Sequence, residues 1–374
     1  MNTRPRLHHL NTTAAATVLL LSHGLAAAQA TPATSSVTLF GLLDVNMSRY
    51  SPGSHAGGGV QNVINDGVVN GLNGSRWGIR VAEDLGGGLK ASVLLESGLN
   101  ADTGTLGQGG RAFGRQAFIA LSAANAGELR LGRQYILSDS VVGQGNPFAN
   151  ALVNNPTTAV TNMGKALPMW FNAPRADNVV QYQTPNWAGF TAAGQIAPGE
   201  GTADRFHGLR AVYSSGPFYT GLTYEWNKSR TTGENTNKSL SFTANYNFGF
   251  MKLEGGLQRN TDLATGSVNG AASGVTNLLV TGDSSFTAHE IDGWTIGAEV
   301  PASTALVFGL NFTRMKYEAA SGGANADLGK LALTARYGLS KNTFLYAGGS
   351  IATGELKAYI SQKQVLQAGL RMAF

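Results

Sequence analysis

Between Ser239 and Phe248 the chain reads SLSFTANYNF, in which Leu240, Phe242, Ala244, Tyr246 and Phe248 alternate with Ser239, Ser241, Thr243, Asn245 and Asn247. A two-residue repeat puts the first set on one face of a β-strand and the second on the other. The same alternation returns, with turn residues between, in SVTLFGLLDVN, SRWGIRVAE, LKASVLLES, RQAFIALS, GELRLGRQY, DNVVQYQT, GFTAAGQIA and HGLRAVYSS. It continues in FYTGLTYEWN, FMKLEGGLQ, DGWTIGAEV, ALVFGLNFT, GKLALTARYGL, TFLYAGGSI and the terminal KQVLQAGLRMAF. About sixteen segments of roughly ten residues, apolar on one face and polar on the other, predict an all-β fold, a transmembrane antiparallel β-barrel.

Composition excludes the alternatives. Charged residues make up only 13% of the chain and Gly 50 of 374, a balance that favours neither helices nor disorder. No run reaches the ~18 apolar residues of a membrane-spanning helix, and the mean hydropathy is -0.06. Cysteine is absent, so disulfides, thiolate nucleophiles and Cys-ligated metals are not expected. The N-terminus carries Arg4 and Arg6, an apolar stretch from Ala14 to Leu21 and the small-residue pattern Ala28, Gln29, Ala30. This is the form of a secretory signal peptide cleaved after Ala30, leaving residues 31–374 as the barrel domain. Without those two arginines, 25 basic residues face 22 acidic ones, a net charge of +3. So small an excess in an exported chain argues against nucleic acid as a partner.

The connections choose the compartment. Short ones lie at Asp84–Gly88, Ser122–Gly127, Pro185–Gly189, Ser214–Pro217, Phe248–Gly249, Val300–Thr304 and Leu339–Asn342. Between them fall longer stretches rich in Gly, Asn and Ser, the longest from Ile136 to Arg175. Short and long alternate throughout, as expected of an outer-membrane barrel with short periplasmic turns and long external loops. In lipid every backbone group must be paired, so the last strand has to close on the first. Val365–Phe374 is therefore expected to pair with Val37–Asn46. Phe374 then stands in a periplasmic aromatic belt with Trp187, Phe218 and Phe248.

The stretches SSVTLFGLLDV, GSRWGIRVAEDLGGGLKASVLLESGLN, GRQAFIALSAANAGELRLGRQY, NVVQYQTPNWAGFT and the terminal GLRMAF resemble the trimeric general porins of Gram-negative outer membranes. The resemblance runs over nearly the whole mature chain. It implies a homotrimer of sixteen-stranded barrels, each with its own water-filled pore narrowed by the third external loop. It also implies a terminal Phe, here Phe374, read by the barrel-assembly machinery. Outer-membrane lipid, lipopolysaccharide, small hydrophilic solutes and anions complete the expected partners. Porins of this kind often carry several acidic residues in the third loop, whereas Ile136–Arg175 holds only Asp139, which argues against a cation-attracting loop.

In a barrel this wide, function lies in what the inward parity presents. Trp77 and Ile79 on the lipid face turn Arg76 and Arg80 inward, and the same rule turns Lys90, Ser92 and Glu96 inward. Arg175 shares parity with Asp177, Gln181 and Gln183, opposite Val180 and Tyr182, and Arg130 and Arg336 also point inward. The resemblance places Arg76, Arg115 and Arg175 at the narrowest point. Arg115 falls in step with the lipid-facing Ala117, Ile119 and Leu121, so either a bulge intervenes or Arg115 lies above the membrane. A charge on the lipid face costs about 2–4 kcal/mol at mid-bilayer, which drives the set inward. There, charges of one sign focus field along the pore.

Nothing in the sequence points to an enzyme. His55, His207 and His289 are widely spaced in or beside external loops, and LGGGLK is a tight turn with no helix behind it to receive a phosphate. No cofactor is expected. The sequence therefore predicts a passive diffusion channel with anion preference. The alternative is a substrate-selective channel for organic anions or sugars; a sugar channel would line its lumen with aromatics, which here fall mostly on the lipid parity, with Phe40 and Phe118 as exceptions.

Overall fold

The computed structural model describes residues 35–55, 57–152, 175–201, 203–263, 288–319, 326–358, 360 and 362–374. The expected leader, residues 1–30, lies outside them. The alternating segments form strands β1 (Ser36–Ser51), β2 (Gln61–Asp66), β3 (Arg76–Gly86), β4 (Leu89–Asn100), β5 (Thr105–Leu106) and β6 (Gln116–Ala123). They continue with β7 (Gly127–Tyr135), β8 (Arg175–Gln183), β9 (Phe190–Ala197), β10 (Arg205–Ser215), β11 (Phe218–Lys228) and β12 (Asn235–Asn247). The last six are β13 (Lys252–Thr261), β14 (Ala288–Pro301), β15 (Leu306–Ala319), β16 (Ala326–Gly338), β17 (Thr343–Thr353) and β18 (Gln364–Ala373). The short β2 and β5 belong to loops; the other strands pair antiparallel, each with the next, into a closed sixteen-stranded barrel.

The pleat sorts the side chains as the alternation requires. On β13 Leu257 is 57% exposed and its neighbour Gln258 4%; on β18 Leu366 is 61% and Gln367 5%. Such a continuous exposed apolar band has no place in water and faces hydrocarbon, while the polar parity lines the lumen. At the end with the short turns, Trp187, Phe218, Phe248 and Phe374 project outward as the expected belt.

Closure runs through β1 and β18, in a register that differs from the expected one. Phe374 stands opposite Gly41, with Gly41 N to Phe374 O and Phe374 N to Gly41 O both 3.0 Å, rather than opposite Val37. The ladder then runs from Leu42↔Ala373 to Ser51↔Gln364. An even offset keeps each side chain on its face, and a barrel needs such a stagger to close. Below Phe374, Ser36–Leu42 pair with Ala82–Arg76 of β3. Gly41 is required at the seam: a Cβ there would lie 2.4 Å from the Phe374 ring.

The third long connection turns into the barrel. Its described part, a helical turn at Leu137–Val142 and the chain on to Leu152, follows the inner wall from β10 to β15. Glu225 of β11 accepts Ser138 N at 2.9 Å and Ser138 Oγ at 3.0 Å. Thr243 Oγ1 donates to Val141 O (2.9 Å), Thr295 Oγ1 to Asn146 Oδ1 (2.7 Å), and Phe148 N to Glu299 Oε1 (2.7 Å). Leu152 N closes the path on Gly71 O of the first loop at 2.8 Å. The inward polar residues of β11–β15 thus satisfy the backbone of a segment that would otherwise leave the sheet unpartnered.

Candidate pore constriction

Where the helical turn leaves β7, it faces a wall built by β3, β4, β6 and β8. Glu96 on β4 is the hub. Its Oε1 accepts Arg115 Nε at 2.8 Å and Arg76 Nη1 at 3.2 Å, while Oε2 accepts Gln116 Nε2 at 2.8 Å. The hydroxyl of Tyr135 accepts Arg115 Nη2 at 2.5 Å and Arg175 Nη2 at 2.6 Å. The Arg175 guanidinium also lies 4.3 Å over the Tyr135 ring. Arg115 is 5% and Arg175 9% exposed, so both are fixed rather than swinging free. From the loop, Asp139 feels Arg175, Arg115 and Arg76; burial pushes its carboxyl up to about 6, against those three charges.

The structure brings Arg76, Arg115, Arg175, Glu96 and Asp139 together. Arg115 reaches the lumen because β6 begins at Gln116, so Arg115 sits one residue before the pleat and strand parity does not apply to it. Neither a bulge within β6 nor a position above the membrane is needed. A bulge does occur next door: β7 and β8 slip between Gly132 and Gln134, and Asn178 adopts φ 57. Asp177, expected on the face of Arg175, instead pairs with Arg133 at 2.5 Å and Arg111 at 2.8 Å, and Arg133 follows the exposed parity of Leu129 and Leu131. Arg80, Arg130 and Lys90 point inward but lie nearer the short turns. Arg80 sits 5.2 Å over Phe40, Arg130 sits 5.0 Å over Phe118 and pairs with Glu128 at 2.5 Å, and Lys90 lies one residue from the end of β4.

Tyr135 was not singled out by the sequence, although it is the residue that couples Arg115 to Arg175. Its signal was position alone: it is the last residue of a strand ending in the longest loop. Of the three histidines, His207 stacks on Trp226 with ring centroids 5.0 Å apart, and the side chain of His289 lies outside the described residues. Among the described residues no group of three or more His, Asp or Glu could hold a metal.

Residues 14–354 match the sequence profile of the Gram-negative porin family. The chain belongs to that family. It is 31% identical to an outer membrane porin protein of Bordetella pertussis, over 93% of this chain and 96% of the relative. The anion-selective porin from Comamonas acidovorans superposes with a TM-score of 0.68 at 26% identity, over 91% of this chain and 100% of that one. The trimer form of OmpT, an outer membrane protein of Vibrio cholerae, shares the fold with a TM-score of 0.65 at 13% identity, over 91% and 99% of the two chains. This porin is an outer-membrane channel, a water-filled route for passive diffusion of small hydrophilic solutes and ions.

Proposed function

We propose that this porin prefers anions and that Arg76, Arg115 and Arg175 set the preference at the constriction. The observation that carries the reading is the clamp on Tyr135, which holds two guanidiniums against the lumen at the level where the inward loop crosses. Glu96 and Asp139 offset part of the charge, leaving three cations against two anions when both acids are ionised. A local field of that sign favours anions whatever the net charge of the whole chain. The anion-selective relative from Comamonas acidovorans agrees in kind.

The zero-current potential of planar bilayers across a KCl gradient tests it. The expected sign is anion-selective, moving toward zero in Arg175→Ser; a cation-selective wild type would overturn the proposal. The assembly belongs to the same proposal: a homotrimer in the lipopolysaccharide-bearing outer membrane, inserted by the barrel-assembly machinery with Phe374 as part of the signal. The solved trimer form from Vibrio cholerae supports the trimer at the level of the fold.

A further inference from the structure

The lumen holds further arginines beside Arg76, Arg115 and Arg175. Arg130 has its carboxylate, Glu128, and Arg210 donates to Gln183 Oε1 at 2.5 Å and Ser140 Oγ at 2.7 Å. Arg336 of β16 and Arg371 of β18 are differently placed. Phe344 of β17 stands directly across from Arg371, and both guanidiniums rest on its ring, 5.3 Å from the centroid for Arg336 and 5.5 Å for Arg371. Arg336 also lies 5.1 Å from the ring centroid of Phe148, which the inward loop brings to the same spot. Among the described residues neither arginine has a carboxylate within 4.0 Å.

The missing counter-charge is close by and otherwise engaged. Asp44 of β1 faces Arg371 across the β1–β18 ladder. Its Oδ2 accepts Asn73 N at 2.8 Å, and its Oδ1 accepts the hydroxyl of Tyr346. Gly369 makes the second bond possible, since a Cβ there would lie 2.3 Å from the Tyr346 ring. The Arg371 Nε is buried and has no partner among the described residues. Two like charges are thus held on one ring by cation–π contact, with Asp44 acting on Arg371 from beyond ion-pair distance. An anion held by the terminal N–H groups of either fork would offset the charge that the two share.

We propose that Arg336 and Arg371, held on Phe344, form a second anion station on the periplasmic side of the constriction, and that it takes the carboxylate of a small organic acid. The planar guanidinium forks match a carboxylate in two-point contact, and Phe148 and Phe344 supply apolar edges for the rest of the solute. The station rests on the anion-preferring reading of the pore and adds a place where an organic anion pauses after the narrow zone. It also accounts for the inward aromatics, since Phe40, Phe118 and Phe344 each carry an arginine rather than an open face for a sugar.

The test uses benzoate as the probe, added to the full-length porin in planar bilayers at fixed KCl while single-channel chloride current is recorded. Benzoate should lower the current in a saturable way. Arg336→Gln and Arg371→Gln should each raise the half-effective benzoate concentration about tenfold, the loss of one charge-assisted contact. Lys228→Gln, at the far end of β11 from the short turns, should shift it by less than about twofold, since distant sites act nearly independently. Only inserted channels are scored, so a variant that failed to fold gives no trace, and Arg336→Gln carries the test if Arg371→Gln does not insert. Indifference of the wild type to benzoate, or an equal shift in Lys228→Gln, would overturn the second station. The zero-current potential of the same channels in KCl alone separates that failure from failure of the anion reading, which a cation-selective sign would sink.

Discussion

Asp139 lends the constriction a pH dependence whose sign and size can be worked out. Burial pushes its carboxyl up to about 6, against the charges of Arg175, Arg115 and Arg76. Above that pH it is ionised, and the local count is three cations to two anions; below it the carboxyl is neutral and only Glu96 opposes the arginines. The net local charge therefore rises by one as pH falls through about 6. A chloride touching a guanidinium lies about 4 Å from its charge, where one unit charge is worth about 1 kcal/mol in water and about 4 at an effective dielectric of 20. In a water-filled lumen the lower figure governs, so each step in local charge changes chloride occupancy about fivefold and potassium inversely. Salt confines the effect to within a Debye length of ~8 Å.

Five measurements of zero-current potential across a tenfold KCl gradient then interlock, on a scale bounded at about 59 mV for a monovalent ion. The wild type should be more anion-selective at pH 5 than at pH 7.5. Asp139→Asn at pH 7.5 should approach the wild type at pH 5 and show a smaller pH dependence over that interval. Arg175→Ser removes one positive charge, so at pH 5 it should resemble the wild type at pH 7.5. A pH dependence that persists undiminished in Asp139→Asn would refute the assignment, because its source would then have to be another group.

Three further outcomes follow from the packing. Glu225→Ala removes the carboxylate that holds Ser138 N and Oγ; with charged hydrogen bonds worth about 1.5–3 kcal/mol, the inward loop should loosen and single-channel conductance should rise and become noisier. Gly41→Val places side-chain atoms where the Phe374 ring sits, so the yield of heat-resistant folded protein from outer membranes should fall toward that of a Phe374 deletion, as read on unheated denaturing gels. Leu257→Arg puts a charge on the lipid face near mid-strand and should destabilise the barrel by about 2–4 kcal/mol in urea titrations from vesicles, whereas Gln258→Arg, facing the lumen, should change stability far less.

Strand alternation made the barrel legible because the pleat is enforced on every residue that the ladder holds, and the lipid on one side punishes any slip. Leu257 and Gln258, or Leu366 and Gln367, could not exchange faces without placing an amide in hydrocarbon. The same rule fails where the ladder stops. Arg115 breaks parity because it stands one residue outside β6, and Asp177 breaks it because the bulge at Asn178 inserts a residue into β8. Neither event leaves a pattern in a single strand, since each depends on how the neighbouring strand is paired. The terminal register escaped for a similar reason: hydrophobic parity fixes it only to an even number of residues, and barrel stagger chooses among those.

The lumen chemistry was legible as a list of inward charges but not as a set of partnerships. Arg371 and Asp44 face each other across the closing seam, and pairing them would be the natural inference from register alone. What separates them is Tyr346, a residue 302 positions from Asp44 in sequence, reaching over Gly369 to take the carboxylate first. In the same way one carboxylate, Glu96, is shared by Arg76 and Arg115, so the cluster keeps a positive excess, while among the described residues Arg336 and Arg371 have no carboxylate within 4.0 Å. Ion preference in such a pore is decided by how far each acid offsets the arginines around it. That depends on hydrogen bonds made across strands that meet only when the barrel closes.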